Sequence, residues 1–246
     1  MEKDVIANLK SLGIDMINEA GSGHPGIVLS AAPIMYTVYA NHMNVNPKEP
    51  KWVNRDRFVL SAGHGSALLY ACLFMTGFIT LKDLKQFRKL GSVTPGHPEY
   101  NVTPGVDMTT GPLGQGFASA VGMAIAEKKL QTKFNDSNLI DYYIYTLCGD
   151  GDLMEGVSYE AASLAGTLKL NNLIVLYDSN NISLDGSTDK TFTEDVRERF
   201  DAMGWYTTVV SNGNKTSDID KAINRAKKSG LPALIEVKTV IGEGSV

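Results

Sequence analysis

Apolar positions along the chain recur at helical spacing in some stretches and close into short unbroken runs in others. Over 5–20 they fall at Val5, Ile6, Leu9, Leu12, Ile14 and Ile17, which predicts a helix. That pattern stops at Gly21-Ser22-Gly23-His24-Pro25-Gly26. The next stretch, 27–42, is apolar nearly all round and predicts a buried helix. Phe58-Val59-Leu60 predicts a short strand, ended by Ser61-Ala62-Gly63-His64-Gly65-Ser66 and followed by a helix through Met75. An amphipathic helix is predicted over 81–90, then a long loop over 91–111. Gly111-Pro112-Leu113-Gly114-Gln115-Gly116 opens a helix with apolar residues at Phe117, Val121 and Ile125. Further helices are predicted over 157–168, 192–203 and 217–228. Further strands are predicted over 142–148, 173–177, 205–210 and 233–240. Asp185-Gly186 marks a turn. Repeated β-α succession predicts an α/β fold, a mostly parallel sheet with helices on both faces. No stretch reads as a linker, so residues 1–246 are expected to form one domain with an N-terminal helical lobe.

Composition narrows the function. The chain has 246 residues, 43% of them apolar, enough to bury a full core. Its formal net charge is −4 and no basic run occurs, which argues against a nucleic-acid partner. The first ten residues are charged and lack the apolar core of a signal peptide. The apolar runs are too short and too broken to span a bilayer, so no membrane association is expected. Cys72 and Cys148 form no CxxC pair and read as reduced core residues of a cytoplasmic protein.

The chemistry gathers at strand ends. The strand over 142–148 runs into Gly149-Asp150-Gly151, and the strand over 173–177 into Asp178-Ser179-Asn180-Asn181-Ile182. In a parallel sheet both carboxyl ends lie on the edge where ligands bind, so Asp150 and Asn180 are expected to converge. A carboxylate, an amide oxygen and a spare backbone carbonyl are hard ligands that suit Mg²⁺. The glycines admit a diphosphate to the backbone, and the next helix would offer its N-terminal N–H groups. Taken alone, these segments also read as a strand-end turn and an unrelated Asn-rich turn. Three of the four histidines, His24, His64 and His97, each follow a glycine at a turn. His42 lacks that setting and reads as structural. His24 has a plainer reading as a turn residue before a helix that starts at Pro25. Lys238 falls at the carboxyl end of the last strand, on the same edge. The small-residue helices over 117–128 and 157–168 allow a tight helix–helix contact and predict a homo-oligomer.

The GDG–Asn pairing resembles the thiamine diphosphate (ThDP) signature. The turns together resemble transketolase: SGHPG at 22–26, GHGSALLY at 63–70, TPGHPE at 94–99, TTGPLGQG at 109–116, GDGDLMEG at 149–156 and YDSNNISLDG at 177–186. They fall in the family's order, and the likeness covers essentially the whole chain. It is to the family's N-terminal, diphosphate-binding half. The resemblance implies a ThDP-binding fold, with ThDP and Mg²⁺ (or Ca²⁺) as cofactors. It also implies transfer of a two-carbon ketol unit between sugar phosphates of the pentose phosphate pathway. Carried over residue by residue, Asp150, Asn180 and the Ile182 carbonyl resemble the metal ligands. His64 and Gly151 resemble diphosphate or thiazolium contacts, and Lys238 a residue that reaches the cofactor. The backbone of Gly111, Pro112 and Leu113 resembles the wall around the aminopyrimidine. His24 and His97 resemble the imidazoles that face substrate and thiazolium. Glu155 resembles a carboxylate at the subunit interface, and it also reads as an acid in a helix's first turn. The family's ring-activating carboxylate and most of its sugar-phosphate ligands lie in a second half that nothing here matches. The chain is therefore expected to be a fragment, or the N-terminal subunit of a split enzyme, inactive without that half. 1-Deoxyxylulose-5-phosphate synthase and dihydroxyacetone synthase have related N-terminal halves; the former resembles this chain around SGHPG and GDG, but TPGHPE and TTGPLGQG fit transketolase better. A non-catalytic module of the same fold is a third reading, which the metal pair and the three histidines argue against.

Overall fold

The computed structural model describes residues 1–135, 139–183 and 186–245. Its centre is a five-stranded sheet of β1 (Arg57–Leu60), β2 (Ile144–Gly149), β3 (Leu173–Ser179), β6 (Tyr206–Val210) and β7 (Ala233–Lys238), in the order β1-β2-β3-β7-β6. Every pair in it is parallel. A separate two-residue antiparallel pair, β4 (Ile182–Ser183) with β5 (Gly186–Ser187), follows β3. Of the expected Asp185-Gly186 turn, Asp185 lies outside the described residues.

Successive strand residues face opposite ways, and the core divides accordingly. Phe58, Leu60, Tyr145, Leu147, Ile174, Leu176, Ala233 and Ile235 pack under α1 (Glu2–Ala20), α2 (Pro25–Thr37), α3 (Ser66–Met75) and α8 (Thr216–Lys228). Val59, Ile144, Cys148, Leu173, Val175, Tyr177 and Leu234 pack under α5 (Gln115–Phe134), α6 (Gly156–Thr167) and α7 (Val196–Ala202). The inner strands β2, β3 and β7 are buried on both faces, which is why they read as nearly unbroken apolar runs, while the edge strand β6 is only partly buried. Cys72 and Cys148 are free and buried, and burial raises both thiol pKa values.

Several predicted elements differ in extent, and the strand over 233–240 ends at Lys238. The helix over 27–42 starts at Pro25, ends as an α-helix at Thr37 and continues as a π-helical turn over Val38–His42. The helix over 81–90 shrinks to α4 (Leu81–Leu84), entered through a capping box between Thr80 and Asp83. Turns follow over 85–87, and no helix can run on to 90 because Arg88 takes φ 62° and donates its N–H to the Thr94 carbonyl at 2.9 Å. The helix over 192–203 begins only at Val196, because the Asp195 side chain accepts the Glu198 N–H at 3.1 Å and caps it. GDG runs into a 3₁₀ turn, Asp152–Met154, and α6 starts later at Gly156, so no helix N-terminus follows Gly151 directly. The loop over 91–111 holds no strand or helix, as predicted. His42 is buried, with Nε2 3.0 Å from Asp220 Oδ1, in keeping with a structural role.

Candidate functional site

Strand register sets one part of the carboxyl edge. Gly149 stands opposite Asp178, and Ser179 opposite Lys238. Asp150, one residue past β2, therefore meets the residues just past β3. Tyr177 Oη donates to Asp150 Oδ1 at 2.5 Å, and the Asn180 N–H donates to Oδ2 at 3.3 Å. Asn180 Oδ1 accepts the Ile182 N–H at 3.0 Å, closing an Asx turn just past β3. Asp178 lies beneath them. It accepts from Ser30 Oγ at 3.1 Å, from Asn180 Nδ2 at 3.4 Å and from Thr239 Oγ1.

Burial raises the Asp150 carboxyl pKa, against the opposing pull of the Tyr177 hydroxyl, the Asn180 N–H and the Lys238 charge. Burial likewise pushes Asp178 up to about 6, the hydroxyls of Thr239 and Ser30 opposing. Lys238 does not neutralise them. Its Nζ sits 2.6 Å from Glu236 Oε1 and donates to Ser179 Oγ at 3.1 Å, and Glu236 also pairs with Arg197 Nε at 2.9 Å. Asp150 and Lys238 line one cleft of about 340 Å³. Among the described residues no group of three or more His, Cys, Asp or Glu side chains forms a metal site. The expected set contains only one such side chain. A buried carboxylate with no paired base, beside a second acid and an amide oxygen, is a donor set that fits a hard divalent cation.

Turns rather than strands build the second part. His24 caps the start of α2, with Pro25 as its first residue. The His24 and His64 rings lie edge to face, with centroids 5.2 Å apart. His97 joins them through packing. A side-chain carbon on Gly63 would stand 2.8 Å from the Gly111 nitrogen, and one on Gly111 3.7 Å from the His97 ring. Gly63 is thus required by the close approach of two turns. Burial lowers all three imidazole pKa values. For His24 the charges of Arg88 and His97 add to it, for His97 that of Arg88, and His64 is pushed down to about 4. The rings are neutral bases at neutral pH.

Leu113 joins the two parts, its Cδ1 standing 2.9 Å from where a Gly151 side chain would begin. Gly111 and Leu113 are half-buried and Pro112 is exposed. Gly114, at φ 77° and with Glu155 Cβ 2.8 Å from its own missing Cβ position, is a second glycine the geometry requires. Glu155 is exposed beside it, the residue just before α6, and makes no side-chain cap. Lys238 shares its cleft with Asp150, whereas Glu155 stands beside Gly114 at the start of α6.

Sequence reasoning missed Asp152, Tyr177, Ser30 and Thr239. Asp152 is fully buried. It accepts from Ser61 Oγ at 2.6 Å, from the Gly114 N–H at 3.0 Å and from the Gly149 N–H at 3.0 Å. Ser61 Oγ in turn accepts the Phe117 N–H at 2.9 Å. One carboxylate thereby ties the ends of β1 and β2 to the start of α5. A second acid inside GDGD was the available signal; Ser30 and Thr239 offered none.

Sheet order, layers and the glycine-lined carboxyl edge define an α/β domain of the thiamine-diphosphate-binding kind. The chain belongs to the family described as "Transketolase, thiamine diphosphate binding domain", which it matches over residues 1–246. It is 58% identical to the transketolase of Bacillus subtilis over 249 aligned residues, covering 100% of this chain and 37% of that protein. Among solved structures it resembles the Pichia stipitis transketolase complex with sedoheptulose 7-phosphate, at TM-score 0.97 and 48% identity. It also resembles the transketolase from Leishmania mexicana, at TM-score 0.97 and 50% identity. Each comparison covers 100% of this chain and 37% of the solved chain. Among the described residues no helix is long and apolar enough to cross a membrane.

Proposed function

We propose that residues 1–246 form the diphosphate-binding domain, with its N-terminal helical lobe, of a cytoplasmic transketolase. The enzyme moves a two-carbon ketol unit from a ketose phosphate to an aldose phosphate. The observation that carries this reading is the meeting of two sets of groups at one sheet edge. Three neutral imidazoles come from separate turns, and an acid–amide pair stands on neighbouring strand ends. Asp150, Asn180 and the Ile182 carbonyl would hold Mg²⁺ (or Ca²⁺). Gly151, His64 and Lys238 would lie along the ThDP diphosphate and thiazolium, and Gly111, Pro112 and Leu113 along its aminopyrimidine. ThDP supplies the carbanion chemistry when bound.

The chain's own residues orient and protonate. His24 and His97 are exposed, neutral and close together, so each can accept a hydroxyl proton from the sugar or hydrogen-bond to its oxygen. His64 is the more buried and the lower in pKa, which suits a neutral hydrogen-bonding contact rather than a proton carrier. Asp152 holds the turns at fixed separation without touching the reactants. Exposed Val157 and Leu164 on α6 and Leu168 just after it, with the small-residue surface of α5, form the surface proposed for a second copy. Glu155 points from that region towards the partner. The carboxylate that activates the aminopyrimidine comes from a C-terminal half.

The test is ketol transfer from xylulose 5-phosphate to ribose 5-phosphate with ThDP and Mg²⁺. It is run on this chain alone and mixed with a C-terminal half. Activity in the mixture only is expected. Activity with pyruvate as donor in place of xylulose 5-phosphate would move the reading to a different ThDP enzyme. No activity in a mixture that forms a complex would overturn it.

A further inference from the structure

Arg88 leaves the predicted helical path and reaches the two turns that carry His24 and His97. Its backbone sits at φ 62°, a left-handed conformation that costs a non-glycine residue about 1 kcal/mol. The Arg88 N–H to Thr94 carbonyl bond, at 2.9 Å, holds it there. The side chain then runs between two turns. Nη1 donates to Ser22 Oγ at 3.2 Å, two residues from His24. Its central guanidinium carbon lies 3.4 Å from the place a Gly96 side chain would occupy, one residue before His97.

The charge is not neutralised within the protein. None of the ion pairs among the described residues involves Arg88. Nε and Nη2 are buried without an acceptor. A guanidinium keeps its proton under all ordinary conditions. A fixed positive charge, screened from water on one side, therefore stands behind both exposed imidazoles.

We propose that Arg88 is the positioning residue of the imidazole cluster: its guanidinium clamps the His24 turn to the His97 turn and presents a fixed positive charge to both rings. The clamp holds the two rings on one wall of the site. Burial lowers both imidazole pKa values, and the charge adds to it, so the rings stay unprotonated at pH values where a free imidazole would already carry a proton. The charged groups acting on His24 are Arg88 and His97, and on His97, Arg88. His24 and His97 act on His64. Among the described residues no carboxylate acts on any of the three to oppose Arg88. The consequence for proton transfer rests on the transketolase reading; the clamp and the charge do not.

The experiment follows the ring resonances of the four histidines by NMR through a pH titration of the 246-residue chain. Single histidine substitutions assign them. In Arg88→Gln the midpoints of His24 and His97 are expected to rise, while that of His42, paired with Asp220 across the molecule, stays in place. In Arg88→Lys, which keeps the charge, both midpoints are expected to stay near those of the parent chain. If Arg88→Gln does not fold, Gly96→Val displaces the guanidinium with the arginine retained, and a smaller rise in both midpoints is expected. Unmoved His24 and His97 midpoints in the folded variants would overturn the proposal, as would a rise that His42 shares equally. Neither result depends on turnover, so a failed ketol-transfer assay leaves this test intact.

Discussion

The carboxylates of the site stand on strand ends, the imidazoles on turns. Asp150, Asp178 and Asn180 are placed by the register of β2 against β3, a repeating backbone geometry with little freedom. His24, His64 and His97 come from three turns that share no ladder. They are placed by close approaches at glycines, by Asp152 at one end and by Arg88 at the other. The electrostatics differ in the same way. Burial raises the carboxyl pKa values and leaves an acid group short of positive charge. Burial and a nearby guanidinium lower the imidazoles and leave a base group without protons. A cation is wanted at one part and a proton at the other. The sheet sets the first and loop packing the second.

This contrast can be broken at four places. The largest effect is expected at Asp152, where alanine strands three buried donors, Ser61 Oγ–H and the N–H groups of Gly114 and Gly149. At about 1 kcal/mol or more for each, the loss is about 3 kcal/mol by urea unfolding at pH 7. A loss under 1 kcal/mol would show that the turns hold themselves together. Next is Asp150→Ala, expected to weaken Mg²⁺-dependent ThDP binding by about a hundredfold or more in titration calorimetry, with stability little reduced. Unchanged affinity would place the cation elsewhere.

The third effect is one of pH. His64 titrates at about 4 in the fold, against 6.5 for a free imidazole, so between those values the unfolded chain binds the extra proton. Stability then falls as the solution is acidified through that window. Between pH 7 and pH 5 the contribution is about 2 kcal/mol. His64→Asn is expected to lack that slope relative to the parent chain in urea unfolding at the two pH values. Asp178, raised to about 6, contributes with the opposite sign, and its effect is common to both proteins and drops out of the difference. Equal slopes would show that His64 protonates freely in the fold. The smallest effect is at Tyr177, whose hydroxyl occupies one oxygen of Asp150. Tyr177→Phe is expected to weaken Mn²⁺ binding about tenfold, read by electron paramagnetic resonance, with the unfolding midpoint nearly unchanged. An equal loss in stability and in metal affinity would make Tyr177 a packing residue instead.

Much of this was legible before the fold was known. Apolar runs marked the inner strands because a parallel sheet buries both faces there, and β-branched residues marked the edge strand β6. Three Gly–His turns marked the imidazoles because turns at a sheet edge need glycine. Helix ends were less legible. The 81–90 pattern is helical in its apolar spacing, yet Arg88 leaves the helix for contacts with Ser22, Thr94 and Gly96. The 192–203 pattern loses its first turn to the Asp195 cap. Both outcomes turn on single side-chain contacts that periodicity does not encode. Asp152 and Tyr177 sit inside motifs already singled out, but their partners are distant in the chain or in a neighbouring strand.

What the sequence determined by itself was local: which segments are strands or buried helices, and which side chains stand at their carboxyl ends. Period and turn chemistry act over a few residues, and a sequence displays them directly. The tertiary structure decided which turns touch, which acid lacks a base and which base lacks an acid. Those outcomes depend on distances between segments tens of residues apart, such as Ser61 with Asp152 or Ser22 with Arg88. Such distances are set when the two helical layers close on the sheet, and no local pattern contains them.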